Sequence, residues 1–330
     1  MPVYAGEIHI TVYAFIINEQ KMISLGTLLN PPAGLTLYEI IAISFILGLL
    51  HGATPDEHTW PITFSYSIGS YSSKKGMLSG LFFSAGFTIQ RAFLTTLGYL
   101  GLATFYAEYN LEGPVYILVG IVMAIAGSYV LRGRYIHIPF DMLLKGKEHH
   151  TPSAERIQPH EVTMHNISLK MATLHGLIAG FGFGAYATIL TFVLSPQVPS
   201  IIYSPLPGLF FGIGTMVMQM LFGAVFAALV TARKLSRDDI CFLGKFTAGR
   251  TLYYGGLLFF LIGTALSFIP SLGELGVSTG INIPNLDTVG LGTFLVLATV
   301  GIIGIGSIIS GLRTVRRINS SQYCSTNVQS

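Results

Sequence analysis

Two histidines and two carboxylates lie together at the end of a long apolar run, where their side chains are suited to bind a cation. The apolar run covers residues 40–50, and the polar residues that follow it are His51, Asp56, Glu57 and His58. Imidazole and carboxylate ligands suit Ni²⁺, Co²⁺, Zn²⁺ and Cu²⁺ without selecting among them. Because ionisable groups are costly at membrane depth, their position here indicates a ligand site or a transport pathway. An interfacial helix–loop with exposed polar side chains is the alternative interpretation.

The spacing of the two histidines sets a condition on the backbone. In a straight helix, His51 and His58 would lie about 10 Å apart along the axis. A metal ion needs its donor atoms within about 2.2 Å. The two imidazoles can therefore share one ion only if the chain between them leaves the helix.

The residues between the histidines supply such a break. Gly52 weakens a helix, and Pro55 lacks the N–H group that a helix interior needs. The stretch from Thr54 to Glu57 is also typical of a new helix start, with Thr54 as N-cap and Glu57 completing a capping box. The sequence therefore predicts two half-helices with a kink that turns both histidines and Asp56 toward one point. Glu57 is assigned to capping, with a role behind the metal ligands as the alternative.

The two halves of the chain contain similar motifs in the same order. The tripeptide at 50–52 recurs at 174–176, and a glycine, a leucine and two phenylalanines occur at 80–83 and again at 208–211. Three-span units reverse the chain, so the copies would be inverted in the membrane, as in many transporters. Chance is the alternative, because 38 of the 330 residues are glycine. The repeat makes His175 a fourth candidate ligand; a histidine that only hydrogen-bonds a neighbouring helix is the other interpretation.

Composition places these residues in a membrane protein. Of the 330 residues, 51% are hydrophobic and 10% are charged, whereas soluble domains carry about 25% charged residues. We therefore expect an all-α, polytopic helical membrane protein. The two cysteines form no CxxC motif, so neither a disulfide framework nor thiol-redox transport is indicated. No arginine-rich arm accompanies the net charge of +3, so nucleic acid is not an expected partner.

The apolar segments and the basic loops predict about seven transmembrane helices in the cell (cytoplasmic) membrane. The predicted spans are 36–53, 76–106, 115–131, 171–195, 205–232, 251–270 and 288–312. Every lysine and arginine except Lys21 and Arg91 falls on alternate connections, which places the N-terminus outside and the C-terminus in the cytosol. Arg91 lies inside the second span, and we expect its side chain to extend to the outer surface or to pair with Glu39.

The spans and the repeat together predict the domain organisation. In order, it comprises an N-terminal segment of unknown role (1–34), a first transmembrane repeat (35–132), a histidine-containing cytosolic loop (133–170), a second transmembrane repeat (171–272), a final transmembrane helix (273–312) and a polar cytosolic tail (313–330). The loop holds five histidines that are candidates to hold or pass ions, or are incidental to a solvated loop: His137, His149, His150, His160 and His165. Gln90 and Gln219 occupy similar positions in the repeated spans and are candidates to line a path.

Enzyme chemistry has little support in the sequence. There is no HExxH motif, because residues 56–58 have the wrong order and spacing for a zinc protease. No GxSxG or Ser–Lys motif stands out either. We therefore expect a protein without catalytic activity. A permease for another small solute, such as an oxyanion, and a metal-binding accessory protein remain the alternatives to a metal transporter.

Three motifs resemble those of the nickel/cobalt transporter superfamily (NiCoT). The first is His51-x4-Asp56-x-His58, which is similar to a signature in which the aspartate and the second histidine are adjacent; here Glu57 intervenes. The stretch 80–88 resembles a second motif, with phenylalanine at position 87 where the family has histidine. The stretch 180–184 resembles a third, with glycine at 184 in place of aspartate. The resemblance covers about residues 40–230, and these departures favour a UreH/HupE-like branch.

What the resemblance implies is transport of a divalent transition metal, Ni²⁺ or Co²⁺, with Zn²⁺ as a further candidate. The metal would be cargo and not a tightly bound cofactor, and the positions that match the family's ligands are His51, Asp56 and His58. His175 depends on the repeat alone. The expected partners are the lipid bilayer, the ion and a metallochaperone or a metalloenzyme maturation protein.

Overall fold

The computed structural model describes residues 25–102, 104, 108–109, 111–132, 169–182, 184–232 and 235–327. Within these ranges the chain is mostly helical. The α-helices are α1 (Leu25–Leu29), α2 (Leu37–Ala53), α3 (Trp60–Ile68), α4 (Ser73–Tyr99), α5 (Glu112–Leu131), α6 (Leu169–Ala179), α7 (Ala185–Thr188), α8 (Leu206–Thr231), α9 (Arg237–Phe268), α10 (Leu291–Val296) and α11 (Gly306–Asn327). The predicted all-helical class therefore holds, apart from one short hairpin.

Among the described residues, four helical stretches are long and apolar enough to cross a membrane. They are Glu112–Leu131, Ile201–Thr231, Asp238–Phe268 and Leu291–Arg317. The shorter helices α2 and α6 are also apolar. Helix α4 has 27 residues, which exceeds the length that a bilayer needs, but it includes Lys74, Lys75, Gln90 and Arg91. The chain is thus a helical membrane protein.

Several boundaries differ from those expected. The last span extends beyond 312, because a nine-residue π-helix, Leu297–Ile305, leads into α11, which continues to Asn327. Helix α9 begins at Arg237, well before the predicted start at 251. The polar residues at its beginning are helical because the Ser236 hydroxyl caps the Asp239 N–H group. The predicted histidine-containing loop and most of the N-terminal segment lie outside the described residues.

Two of the apolar segments are broken helices. The chain leaves the helix at 54–59, between α2 and α3, and again at 180–182 and 184, between α6 and α7. The first break was expected from Gly52 and Pro55, but the proposed capping box at Thr54 is wrong. The second helix piece begins at Trp60, with Thr59 as its N-cap and Pro61 in its first turn. Helix α7 continues as a π-helix, Ile189–Leu194.

Helices α4 and α8 pack closely and antiparallel through small residues. Gly76 lies against the backbone of Gly223, and Gly80 lies against the backbone of Gln219. Further along α4, the Arg91 backbone packs against Gly208, so the contact moves up α4 as it moves down α8. In the same way, Gly120 of α5 and Gly256 of α9 face each other, and α5 and α9 are antiparallel. A side chain at any of these glycines would push the backbones apart.

Each of the two broken helices packs parallel to a long helix from the other half of the chain. Gly48 of α2 lies on Phe211 of α8, and Gly176 of α6 lies on Phe83 of α4. On α8, contacts continue in register past the first break, since Gly52 meets Thr215 and Trp60 stacks near Phe222. Helices α2 and α3 therefore follow α8 as one interrupted segment.

The interior contains an unusual share of polar groups. In α3, every residue from Pro61 to Ile68 is buried, and four of them carry hydroxyl groups: Thr63, Ser65, Tyr66 and Ser67. Apolar packing surrounds α3 on the α5, α6 and α9 side, where Tyr66, Val119, Ala172 and Phe259 belong to one core cluster. The short helix α3, with its four hydroxyl groups, therefore lies buried inside the bundle, beside the first break.

An exposed hairpin connects α9 to the last span. Strands β1 (Gly276–Ser278) and β2 (Thr288–Gly290) pair antiparallel, with Val277 opposite Val289. The loop between them places Asn285 in the left-handed region, at φ 68°. The sequence-based division assigned residues 273–312 to the final transmembrane helix, but that helix begins at Leu291, after the hairpin.

Candidate metal centre

The backbone of the first break is held by Asp56. Helix α2 ends when the Thr54 N–H group bonds to the Leu50 carbonyl. The Asp56 carbonyl then accepts from the Trp60 N–H group at 2.9 Å, and its carboxylate accepts from the His58 N–H group at 3.0 Å. Asp56 therefore makes the turn that the predicted capping box would have made, and it fixes His58 relative to itself.

Four candidate ligands gather at this turn. Asp56, Glu57 and His58 each offer one ligand atom within 4.8 Å of the others. The His51 Nδ1 atom lies 3.8 Å from the Asp56 carboxylate, and His58 Nδ1 lies 3.3 Å from the Glu57 carboxylate. Two atoms that share one ion at about 2.1 Å are at most about 4.2 Å apart, so both of these pairs fit. The turn is thus able to hold a divalent cation after small side-chain movements.

The histidine nitrogens have unused capacity. His51 and His58 are both buried, and the Nε2 atom of each has no hydrogen-bond partner. Buried polar atoms are normally paired, so an orphaned atom requires an explanation. A neutral imidazole nitrogen without a protein partner is suited to bind a metal ion.

Glu57 belongs to the cluster of candidate ligands and not to a helix cap. Its carboxylate accepts a hydrogen bond from the Tyr116 hydroxyl of α5 at 2.9 Å and lies beside His58. The assignment to capping is therefore wrong. In an irregular turn, neighbouring residues need not point 100° apart as they do in a helix, so consecutive side chains are able to face one ion. Three adjacent ionisable residues directly after a proline were the available signal.

Aromatic rings enclose His51. Phe87 of α4 and Phe211 of α8 stack on the imidazole at 5.6 and 5.2 Å, and Tyr186 of α7 lies at 5.8 Å. Phe87 occupies the position where the resembled family has a histidine. The rings fix the imidazole and keep water away from this side of the cluster.

The second break contributes backbone to the same place. A Cβ atom at Gly182 would lie 2.5 Å from the ring of His58, so the two breaks are in contact. The Gly182 carbonyl accepts a hydrogen bond from Arg91 at 2.6 Å. Arg91 is only 2% exposed, and Glu39 is engaged in the capping box at the start of α2. Both expectations for Arg91, an outward extension and a pair with Glu39, are wrong.

His175 is in a different environment. Its Nδ1 atom lies 2.5 Å from the Tyr66 hydroxyl of α3, and its ring is buried. The ligand atoms grouped at the first break do not include it. The structure therefore brings together His51, Asp56 and His58, and places His175 against Tyr66 instead.

A cavity of about 220 Å³ opens beside the cluster. Its lining includes Pro55 and four carboxylates: Glu57, Glu112, Glu274 and Asp287. The exposed hairpin covers it, since the Asn285 amide donates to the Thr54 hydroxyl at 3.2 Å and the Tyr186 hydroxyl donates to the Pro284 carbonyl at 3.5 Å. Among the described residues that line the cavity there is no lysine or arginine, so their charge favours cations.

The two glutamines singled out in the sequence each lie at one break. The Gln219 amide donates to the Gly52 carbonyl at 3.4 Å, beside the first break. Gln90 lies against Gly180, where the second break begins, and is buried. The five loop histidines lie outside the described residues.

Comparison of the chain with protein-family models, with curated proteins and with solved structures finds no match to any of them.

Proposed function

We propose that the protein carries a divalent transition-metal cation, Ni²⁺ or Co²⁺, across the cytoplasmic membrane through the cluster at the first break. The observation that supports this most directly is the pair of buried histidines, His51 and His58, whose Nδ1 atoms lie beside the Asp56 and Glu57 carboxylates and whose Nε2 atoms have no hydrogen-bond partner. The carboxylates attract the cation. The imidazoles make the site prefer a transition metal to Ca²⁺ and Mg²⁺, which favour oxygen ligands. No chemical reaction is part of the proposal.

The ligand set is suited to release as well as binding. A carrier needs an ion site from which the ion is able to leave. Mixed nitrogen and oxygen ligands on one short turn, with the remaining positions open to water, bind less tightly than a closed thiolate cage. The transported metal is therefore cargo that the protein holds briefly.

We further propose seven spans in two inverted halves. Helix α2 is parallel to α8, α8 is antiparallel to α4, and α4 is parallel to α6, so α2 and α6 point in opposite directions. The partners also exchange between halves: Gly80 packs on Gln219 of α8, and Gly208 packs on Arg91 of α4. Such reciprocal contacts support an inverted repeat with the ion site between the halves.

In this arrangement the cavity faces the outer side. The acidic lining residues Glu112, Glu274 and Asp287 lie on the connections that lack lysine and arginine, opposite the basic loops. An ion that enters the cavity meets the Glu57 carboxylate first. The N-terminus is then outside and the C-terminus cytosolic.

A permease for an oxyanion is the second candidate, and Arg91 is the one observation that favours it. A buried guanidinium near a site is suited to recognise an oxyanion. Two carboxylates at the adjacent turn, Asp56 and Glu57, oppose anion binding, so we rank cation transport first. A metal-binding accessory protein would keep the site but would not move the ion.

Uptake into proteoliposomes separates these functions. We expect the purified full chain to accumulate Ni²⁺, and His51→Ala and His58→Ala to abolish the uptake because each removes an imidazole ligand. Tyr253→Phe on α9, which lies against Gly127 and away from the cluster, is the control and should behave as wild type. Normal uptake in both cluster variants would rule out the site. Ni²⁺ binding without uptake would indicate an accessory protein, and sulfate uptake would indicate the oxyanion permease.

A further inference from the structure

Arg91 contacts both the aromatic rings that stack on His51 and the backbone that packs on His58. Its guanidinium carbon lies 4.8 Å from the centre of the Phe87 ring and 5.8 Å from that of Phe211. These are the rings that stack on His51. One buried arginine thus holds the aromatic walls of the site by cation–π contact.

The other end of the same guanidinium reaches the second break. Its Nη2 atom donates to the Gly182 carbonyl at 2.6 Å, and Gly182 packs directly on the His58 ring. Helix α4 therefore determines how closely the second break approaches the ligands. Without this bond, the irregular backbone around Gly182 would lose a charge-assisted hydrogen bond in a buried place.

A permanent positive charge so near a cation site needs a reason. Burying an arginine at membrane depth is costly, and its charge opposes the arrival of a second cation in an interior where screening is weak. With neutral histidines, Asp56, Glu57 and Arg91 together carry a formal charge of about −1, which a divalent ion turns to about +1. The repulsion lowers the affinity for the ion, and a carrier benefits from this because it must release what it binds.

We infer that Arg91 is a positioning residue that sets the affinity of the ion site: it holds the second break against His58, and its charge keeps the divalent ion exchangeable. This inference rests on the proposed function. It concerns a residue that neither contacts the ion nor matches any of the family motifs quoted above. Removal of the Arg91 charge should strengthen Ni²⁺ binding but slow Ni²⁺ transport. These opposite effects distinguish this role from others.

The test uses Arg91→Met and Arg91→Gln, which remove the charge, and Arg91→Lys, which keeps it. Ni²⁺ binding to the purified full chain is measured by titration calorimetry, and uptake is measured in proteoliposomes. We expect the neutral variants to bind Ni²⁺ at least about tenfold more tightly, because a repulsive charge is gone, and to have a lower maximal uptake rate. Arg91→Lys keeps the charge but not the guanidinium fork, so its Kd should lie closer to wild type than that of either neutral variant.

A purely structural role would give the opposite pattern, since a misshapen site binds the ion more weakly. Equal or weaker Ni²⁺ binding in folded Arg91→Met and Arg91→Gln would therefore overturn the inference. If neither neutral variant folds, Arg91→Lys decides alone: a Kd that changes by more than about tenfold although the charge is kept would show that the guanidinium geometry, and not the charge, sets the affinity. If the wild type binds no divalent ion, the proposed function fails and the inference fails with it. Sulfate binding that is lost in Arg91→Met would instead assign Arg91 to an anion site.

Discussion

The two helix breaks have similar places in the fold and opposite contents. The first, residues 54–59, contains Asp56, Glu57 and His58, whereas the described part of the second, around Gly182, contributes backbone. Each break follows a short apolar helix, α2 or α6, that packs on a long helix of the other half. The comparison indicates that two similar scaffolds differ in what they contribute: the first break supplies ionisable side chains, and the second supplies closely packed backbone.

Loss of the first break's anchor should have the largest effect. Asp56→Asn keeps an oxygen that is able to accept from the His58 N–H group but removes the negative charge between the two histidines. We expect Ni²⁺ affinity to fall by about 100-fold or more, because a charged ligand is replaced by a weak one. Titration calorimetry measures it, with circular dichroism to verify the helical content. Unchanged affinity would remove Asp56 from the ligand set.

A wedge between the breaks should have the next largest effect. Gly182→Ala places a methyl group on the His58 ring, whereas Gly184→Ala meets nothing within 4 Å and is the matched control. We expect about tenfold weaker Ni²⁺ binding for Gly182→Ala and no change for Gly184→Ala, because only the first displaces a ligand that needs sub-ångström placement. Equal behaviour of the two variants would mean that contact between the breaks does not shape the site.

Lowering the pH should gradually weaken Ni²⁺ binding at the first break. Protons compete with the metal for imidazole nitrogen, so Ni²⁺ affinity is expected to fall as the pH decreases. The dependence should become shallower in His58→Ala, because the imidazole beside the Glu57 carboxylate no longer competes for protons. Calorimetric titrations at several pH values measure both slopes, and a pH-independent Kd in the wild type would argue against imidazole ligands.

A smaller effect is expected from the support of Glu57. Tyr116→Phe removes the hydroxyl that donates to the Glu57 carboxylate. Loss of a group that orients a metal ligand typically lowers the affinity by about 10- to 100-fold. We expect a decrease in Ni²⁺ affinity at the low end of that range. The control is Tyr253→Phe on α9, which lies against Gly127 and away from the cluster. If both variants bind Ni²⁺ alike, Glu57 does not depend on Tyr116.

The smallest effect on binding is expected from His175→Ala, which tests the equivalence of the two halves. Because His175 pairs with Tyr66 and lies outside the ligand group, Ni²⁺ affinity should stay within about twofold of wild type. Thermal stability should decrease, since the Tyr66 hydroxyl loses a buried partner. A loss of affinity comparable to that of His58→Ala would restore His175 as a ligand.

The sequence carried enough information to locate the first break but not its internal geometry. Gly52 and Pro55 predict that the helix stops, and it does. The restart was misplaced because the pattern from Thr54 to Glu57 is typical of a cap, while Asp56 satisfies the same backbone groups on its own. Local patterns report which bonds are possible, and packing decides which of them form.

Residues whose roles depend on distant partners were beyond sequence reasoning. Arg91 was expected at the surface, because nothing in its own helix indicates the Gly182 carbonyl or the rings of Phe87 and Phe211. Gly182 itself was one glycine among many. The repeated motif at residue 175 did identify a buried polar position, but the neighbour that occupies it, Tyr66, comes from another helix.

The unbroken register along α8 has a practical consequence. Gly48 meets Phe211 before the break, and Trp60 meets Phe222 after it, so an advance of twelve positions along one segment matches an advance of eleven along the other. The turn that carries the ligands therefore advances the chain about as far as a helix of the same length. The turn therefore interrupts the helix without changing how the flanking helices pack on α8. Substitutions within residues 54–59 should change the ion preference without redesign of the surrounding bundle.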